Sequence, residues 1–202
     1  MKKTILVALV AVTTASFANA AAIGWRNNST AFTKGSDSLA GSAVILMVVD
    51  KGAAAPTAEW KDGALKLSGG SYLGQTTLGA DGKVATTTLN IDGDWSEGKI
   101  AVQGGAAYGQ PATVDTYGYG TANAKDYYML VFDSATITDS SSYAMSSLTS
   151  KAPTSKTGTL ALAFAGTSFA SSAFTPVSIP EPASVALLAL GLAALGLKRK
   201  VA

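Results

Sequence analysis

Glycines, Asp-Gly pairs and Ser/Thr clusters cut residues 21–180 into short apolar runs, and that punctuation decides the fold class. Residues 42–50 (SAVILMVVD) form the most hydrophobic interior run, bounded by Gly41 and by Lys51-Gly52. It is β-branched and short, so it reads as a central strand buried on both faces. The same shortness excludes a membrane-crossing helix. Residues 126–138 (DYYMLVFDSATIT) read as a second core strand with a bend. Between them, residues 64–68 alternate, residues 72–78 resume after Gly69-Gly70, and Asp81-Gly82 signals a two-residue hairpin leading into the Thr-rich run 83–91. Asp62-Gly63 turns the chain, and residues 56–60 suit a short helical turn. Residues 99–103 return to the sheet, 104–120 form a loose Gly/Ala/Tyr stretch, and 140–150 suit an edge strand. The last strand, 159–164, puts Leu160, Leu162 and Phe164 on one face. About eight short strands with almost no helical periodicity predict an all-β fold, a sandwich or open barrel.

Both ends stand apart from this pattern. Met1-Lys2-Lys3 is a positive start, residues 5–17 are apolar, and Ala18-Asn19-Ala20 has the small-x-small form of a cleavage site. Residues 1–20 therefore read as a signal helix removed by signal peptidase after Ala20. At the other end stand Pro180-Glu181-Pro182, an uncharged apolar run over 183–197, and the cations Lys198, Arg199 and Lys200. Two prolines bracketing one residue neither continue a helix nor donate to a sheet, so the triplet stays extended and accessible. As a helix the apolar run spans roughly 22 Å at ~1.5 Å per residue, short of the ~30 Å hydrocarbon core. That suits a temporary anchor. A core helix of a globular domain would instead carry a polar face, and this run is apolar all round. The terminal cations stay on the cytoplasmic side as a membrane stop.

The triplet, the hydrophobic helix and the basic end together resemble the PEP-CTERM sorting tail of exported bacterial proteins. The same kind of tail is sometimes labelled an ice-binding-protein C-terminal motif, a label that by itself implies no ice binding. The resemblance covers about the last 24 residues. It implies an exosortase-type membrane protease that cuts at or near Pro180-Glu181-Pro182 and passes the protein to the envelope or extracellular matrix. The end departs mildly from the arginine-rich pattern, since Lys198 and Lys200 flank a single Arg199 and Val201-Ala202 follow. The chain thus divides into a signal peptide (1–20), a β-rich mature domain (21–166), a Ser/Ala-rich spacer (167–179) and the sorting tail (180–202).

The formal charge of +2 comes from the ends. Lys2, Lys3, Lys198, Arg199 and Lys200 hold five of the 15 cations and Glu181 one of the 13 anions, leaving ten cations against twelve anions in the body. No basic stripe interleaved with aromatics is present, so no nucleic-acid partner is expected. The body is long enough for one ordinary domain with its own core. Cys and His are both absent. Stability must then come from burial and sheet hydrogen bonds without disulfides. Thiol nucleophiles, a Ser-His-Asp triad and the usual zinc or iron sites are excluded, and no cofactor or metal is expected.

Three constellations remain. Asn90, Asp92, Asp94 and Glu97 place oxygen ligands around a turn, but Trp95 and Ala101 stand where an EF-hand needs glycine and a bidentate acid, so a solvated turn is expected. Paired carboxylates for glycoside hydrolysis could come from the body's acids, yet most (Asp62, Asp81, Asp92, Asp94, Asp139) sit in turn signals where Asp caps the backbone. Trp25, Trp60, Trp95, Tyr108, Tyr117 and Tyr119 could include a platform for sugar rings, or simply fill a core and a flexible loop. Asn27-Asn28-Ser29-Thr30 reads as a polar loop rather than a glycosylation site. The segments GGSYLGQ (69–75) and GGAAYGQ (104–110) share a spacing too slight for a solenoid. The expectation is a sorted envelope or matrix protein with a non-catalytic, structural or surface-associated β domain. The alternatives are a carbohydrate-binding module on exopolysaccharide and, behind it, a secreted glycoside hydrolase.

Overall fold

A computed structural model describes residues 21–177 apart from 28, 29, 97, 116 and 117. The signal segment with Ala18 and Ala20, the Pro180-Glu181-Pro182 triplet, the C-terminal helix and its Lys198, Arg199 and Lys200 lie outside the described residues. So do Asn28, Ser29, Glu97 and Tyr117. Among the described residues no helix is long and apolar enough to cross a membrane.

The described chain is all-β. It begins with β1 (Ala22–Asn27), passes two short strands, β2 (Thr33–Lys34) and β3 (Asp37–Ser38), and enters β4 (Ala43–Asp50). A hairpin of β5 (Thr57–Lys61) and β6 (Ala64–Ser68) precedes β7 (Ser71–Thr77), β8 (Thr87–Asp92) and β9 (Lys99–Ala101). Then come β10 (Thr113–Asp115), the long pair β11 (Lys125–Phe132) and β12 (Ser142–Lys151), and β13 (Thr159–Phe164). β14 (Ser168–Phe169) and β15 (Thr175–Pro176) finish the fold, and the helical content is two single 3-10 turns, Thr121–Asn123 and Ser171–Ala173. The strands outnumber the eight expected mainly because several are two or three residues long, too short to leave an alternation in sequence.

Two five-stranded sheets carry the structure, in the orders β10-β9-β8-β1-β13 and β15-β12-β11-β4-β7. One hydrophobic core joins them, with Ile23, Trp25, Leu89 and Leu162 from the first and Leu46, Val48, Met129 and Val131 from the second. A Cβ on Gly74 would lie 3.4 Å from Leu89 Cδ2, so this face of β7 meets the first sheet. The opposite face carries Ile45, Leu130, Phe132 and Tyr143, and the β5–β6 hairpin covers it. There the Ala58 N–H donates to the Tyr143 hydroxyl at 3.2 Å. β4 is therefore buried on both sides, as its unbroken apolar run requires, and Val44 to Met47 are fully enclosed.

The turn chemistry was legible only in part. Asp62 (φ 54°) and Gly63 (φ 73°) both occupy the left-handed region, which is the type I′ geometry that joins β5 to β6. Residues 56–60 are not a helical turn: Thr57–Lys61 is β5, paired throughout with β6. Asp81-Gly82 is not a hairpin either, because β7 pairs with β4 and β8 with β1. The pair instead closes a tight turn, Gly79 N–H to the Lys83 carbonyl at 2.8 Å, on the crossing between sheets. The segment expected as a spacer packs down. Phe169 stacks on Phe32 at 5.6 Å and meets Phe174 edge-on at 5.9 Å, and Val177 is buried. Lys34 sits 4.6 Å above the Phe174 ring and pairs with Asp133 at 3.0 Å.

The buried side chains of Asn27 and Asp126 are tied to the backbone. The buried Asp126 carboxylate accepts from the Gly52 N–H at 2.9 Å and the Ser150 N–H at 2.7 Å, holding the end of β4 to the end of β12. Asp126→Ala leaves two amides without their acceptor and is expected to destabilise the fold by ~2–3 kcal/mol. A chemical denaturation midpoint unchanged from the parent would refute that role.

Candidate functional site

Five of the six aromatic residues named from sequence, all but Tyr117, lie among the described residues, and they separate clearly. Trp25 is fully buried in the core, and Trp95 is buried with its indole N–H on the Gly158 carbonyl at 3.1 Å. Tyr119 is exposed and lines neither of the clefts described below. Trp60 and Tyr108 are half-buried and face each other across a cleft of about 480 Å³ between the hairpin, the outer face of the second sheet and the loop holding Thr136 and Ile137. A second cleft of about 440 Å³ lies beyond Tyr108, against Tyr72, Gln103 and Gly104. Gln75 and Tyr108 line both.

A bulge builds this arrangement. Tyr72 and Gln75 are three residues apart, so a regular strand would send them to opposite faces. In β7, Gly74 pairs with Leu46 but Tyr72 pairs with Met47, leaving Leu73 as the extra residue. The bulge turns Tyr72 onto the face that holds Gln75. Both then meet Tyr108: the Tyr72 and Tyr108 rings lie edge to face at 5.4 Å, and the Tyr108 hydroxyl donates to Gln75 Oε1.

The backbone around Tyr108 is clamped to β6. Leu67 N–H donates to the Tyr108 carbonyl at 3.1 Å, and Gln110 Nε2 donates to the Leu67 carbonyl at 2.8 Å. Tyr108 itself is held at φ 54°, a conformation a bulky side chain rarely adopts. Strain of order 1 kcal/mol or more persists only where surroundings impose it, and such residues gather at functional sites. The two similar segments 69–75 and 104–110 thus form no repeat. Tyr72 and Gln75 of the first meet Tyr108 of the second at the walls of the clefts, while Gln110 fastens the second to β6.

Burial, and behind it the neighbouring Tyr108, pushes the Tyr72 hydroxyl up from 10.0 to about 12. Burial also raises Tyr108, while its bond to Gln75 works the other way. The folded state therefore keeps the Tyr72 proton longer than the unfolded chain does. This contribution is whole below pH 10 and is lost as pH rises toward 12, amounting to ~2 kcal/mol. Denaturant midpoints measured against pH are expected to fall over that window in the parent and to fall less in Tyr72→Phe; identical curves would remove the assignment.

Of the turn weighed as a calcium site, Asn90, Asp92 and Asp94 are among the described residues and Glu97 is not. Asp94 accepts the Ser96 N–H at 2.6 Å and lies 3.9 Å from Lys156 Nζ. Among the described residues no group of three acids could hold a metal ion. Asp81 likewise caps the Lys83 N–H at 3.2 Å. No Asp or Glu lines either cleft among the described residues. Sequence reasoning named Trp60 and Tyr108 but missed Gln75, whose only signal was the shared spacing of residues 69–75 and 104–110, and Gln103, which lies outside both segments and carried none.

Residues 178–200 match the PEP-CTERM protein-sorting motif. This match lies wholly beyond the β body. No curated protein and no solved structure matches the chain.

Proposed function

We propose that this is an exported protein, delivered by signal peptidase cleavage after Ala20 and by an exosortase-type membrane protease acting at Pro180-Glu181-Pro182. The C-terminal helix holds the chain in the inner membrane only until that cut, with Lys198, Arg199 and Lys200 as the stop. The product is a non-catalytic β body in the envelope or extracellular matrix. The observation that carries this reading is the sorting motif over residues 178–200. The burial of Phe169, Phe174 and Val177 supports a body that runs to Val177 as a two-sheet sandwich, so only two residues separate it from the triplet. Intact mass and fractionation of the protein recovered from its host test it. Loss of residues 1–20 and of the tail near Pro180, with protein in the envelope or medium, is expected. A mass retaining 183–202 in the inner membrane would make it a tail-anchored protein instead.

A second reading has its own support. Trp60 and Tyr108 with two glutamines in a partly open cleft suit carbohydrate binding, since sugar rings offer apolar faces to aromatics and hydroxyls to amides. The lack of a lining carboxylate favours binding over glycoside hydrolysis, which needs an acid pair. Depletion of the mature protein from solution onto exopolysaccharide is the expected result, and its absence would leave the structural role.

A further inference from the structure

We propose that the two clefts flanking Tyr108 are halves of one open-ended groove that holds a neutral polysaccharide along several consecutive sugar units. The proposal rests on the binding reading above and adds the class of chain and the way it lies.

The clefts share Gln75 and Tyr108, so they meet at that hydrogen-bonded pair rather than standing as separate sites. Trp60 lines the first and Tyr108 both, while Tyr72, fully buried, backs the Tyr108 ring edge-on. A chain crossing the junction would find ring surface at Trp60 and Tyr108 and the exposed amides of Gln75 and Gln103 beside and beyond them. Neither end is walled. Gly63 borders the first cleft and Gly104 the second, both at positive φ, and a Cβ at either would have nothing within 4 Å. An open-ended groove takes the interior of a polymer, where a closed pocket would take a terminus or a monomer.

Charge decides the class. Lys66 is the one ionic residue on the walls of the two clefts, among the described residues. Its Cδ lies 3.5 Å from where a Cβ on Gly109, another lining residue, would stand, and Glu59 is its cross-strand partner in register. A uronate-rich or sulfated chain would give up hydration at each charged sugar and meet only that single cation, which already has a carboxylate opposite it. A neutral chain gives up no charge solvation, and its binding should be insensitive to salt.

The test uses the mature protein and the host's own exopolysaccharide, separated by anion exchange into neutral and acidic fractions and immobilised. Retention on the neutral fraction, unchanged between low and high salt, is expected. Trimming that fraction enzymatically to mono- and disaccharides should weaken binding by about tenfold or more, because the flanking subsites empty. Trp60→Ala and Gln75→Ala should each weaken retention about tenfold with the thermal transition still cooperative; Gln75→Ala decides the matter where Trp60→Ala fails to fold. Retention on the acidic fraction alone, lost in salt, would overturn the neutral class while leaving carbohydrate binding intact. Equal affinity for monomer and polymer, or Gln75→Ala without effect, would overturn the groove. No retention on either fraction would remove the binding reading together with this one.

Discussion

Glu181→Ala is expected to leave the full-length, signal-cleaved chain in the inner membrane and to empty the envelope and medium fractions of it. The substitution is small, but Glu181 is the only charge between Lys156 and Lys198. Prolines on either side neither continue a helix nor donate to a sheet, so an extended, accessible carboxylate is the expectation from sequence. Removing it leaves the apolar run and Lys198-Arg199-Lys200 as they were, so insertion and topology should persist while recognition fails. Neither does it touch the β body, whose last buried residue described is Val177. Intact mass distinguishes the outcomes: the uncut tail adds residues 183–202. Normal processing of the variant would show that the protease reads the prolines or the helix and that the acid is incidental. A control with Lys198, Arg199 and Lys200 all changed to Ala should fail differently, losing the membrane stop while the triplet stays intact.

The parts of the fold legible in sequence are those where one local pattern carries the answer. Residues 43–49 are apolar without a break and became the doubly buried part of β4. Residues 159–164 alternate and became β13, with Leu160, Leu162 and Phe164 inward. The failures are those where partners distant in sequence decide. Pro56 starts a segment that looks like a helical turn, yet the type I′ turn at Asp62-Gly63 pairs Thr57–Lys61 with β6, and the hairpin then has a sheet face to cover. Asp81-Gly82 has hairpin chemistry, but β4 and β1 claim the strands on either side for different sheets. Nothing local reports that choice.

The candidate site failed in sequence for a related reason. Whether a tryptophan is core or platform depends on what lies above it, so Trp25, Trp60 and Trp95 looked alike. The bulge at Leu73 was beyond reach, since it is defined by β4 across the ladder. It is nonetheless the device that puts Tyr72 beside Gln75. Residues 167–179 read as spacer because Ser and Ala dominate them; Phe169 and Phe174 are too sparse for a pattern, but two aromatics suffice to pin the segment over Phe32.

Phe132→Ala should cost the fold ~3–5 kcal/mol, among the largest stability losses expected of a single substitution in the body. Phe132 closes β11, is fully buried, and packs its ring 5.7 Å from that of Tyr143, its cross-strand partner. Tyr143 is also the acceptor for the Ala58 N–H, so the cavity opens beneath the point where the hairpin is fastened. Domains of this size hold only ~5–15 kcal/mol in total. With no Cys in the chain, no disulfide restrains the unfolded state. Phe132→Leu, which keeps most of the volume, should lose less than half as much. Denaturant midpoints on the purified variants separate the two. If Phe132→Ala falls within ~1 kcal/mol of the parent, the hairpin collapses onto the gap and the three-layer packing is looser than its burial implies. If the loss is as large as expected, the hairpin and the sheet beneath it form one cooperative unit. The cleft they enclose then has rigid walls, which is the condition for Trp60 and Tyr108 to act as fixed surfaces rather than as a loop that closes on whatever it meets.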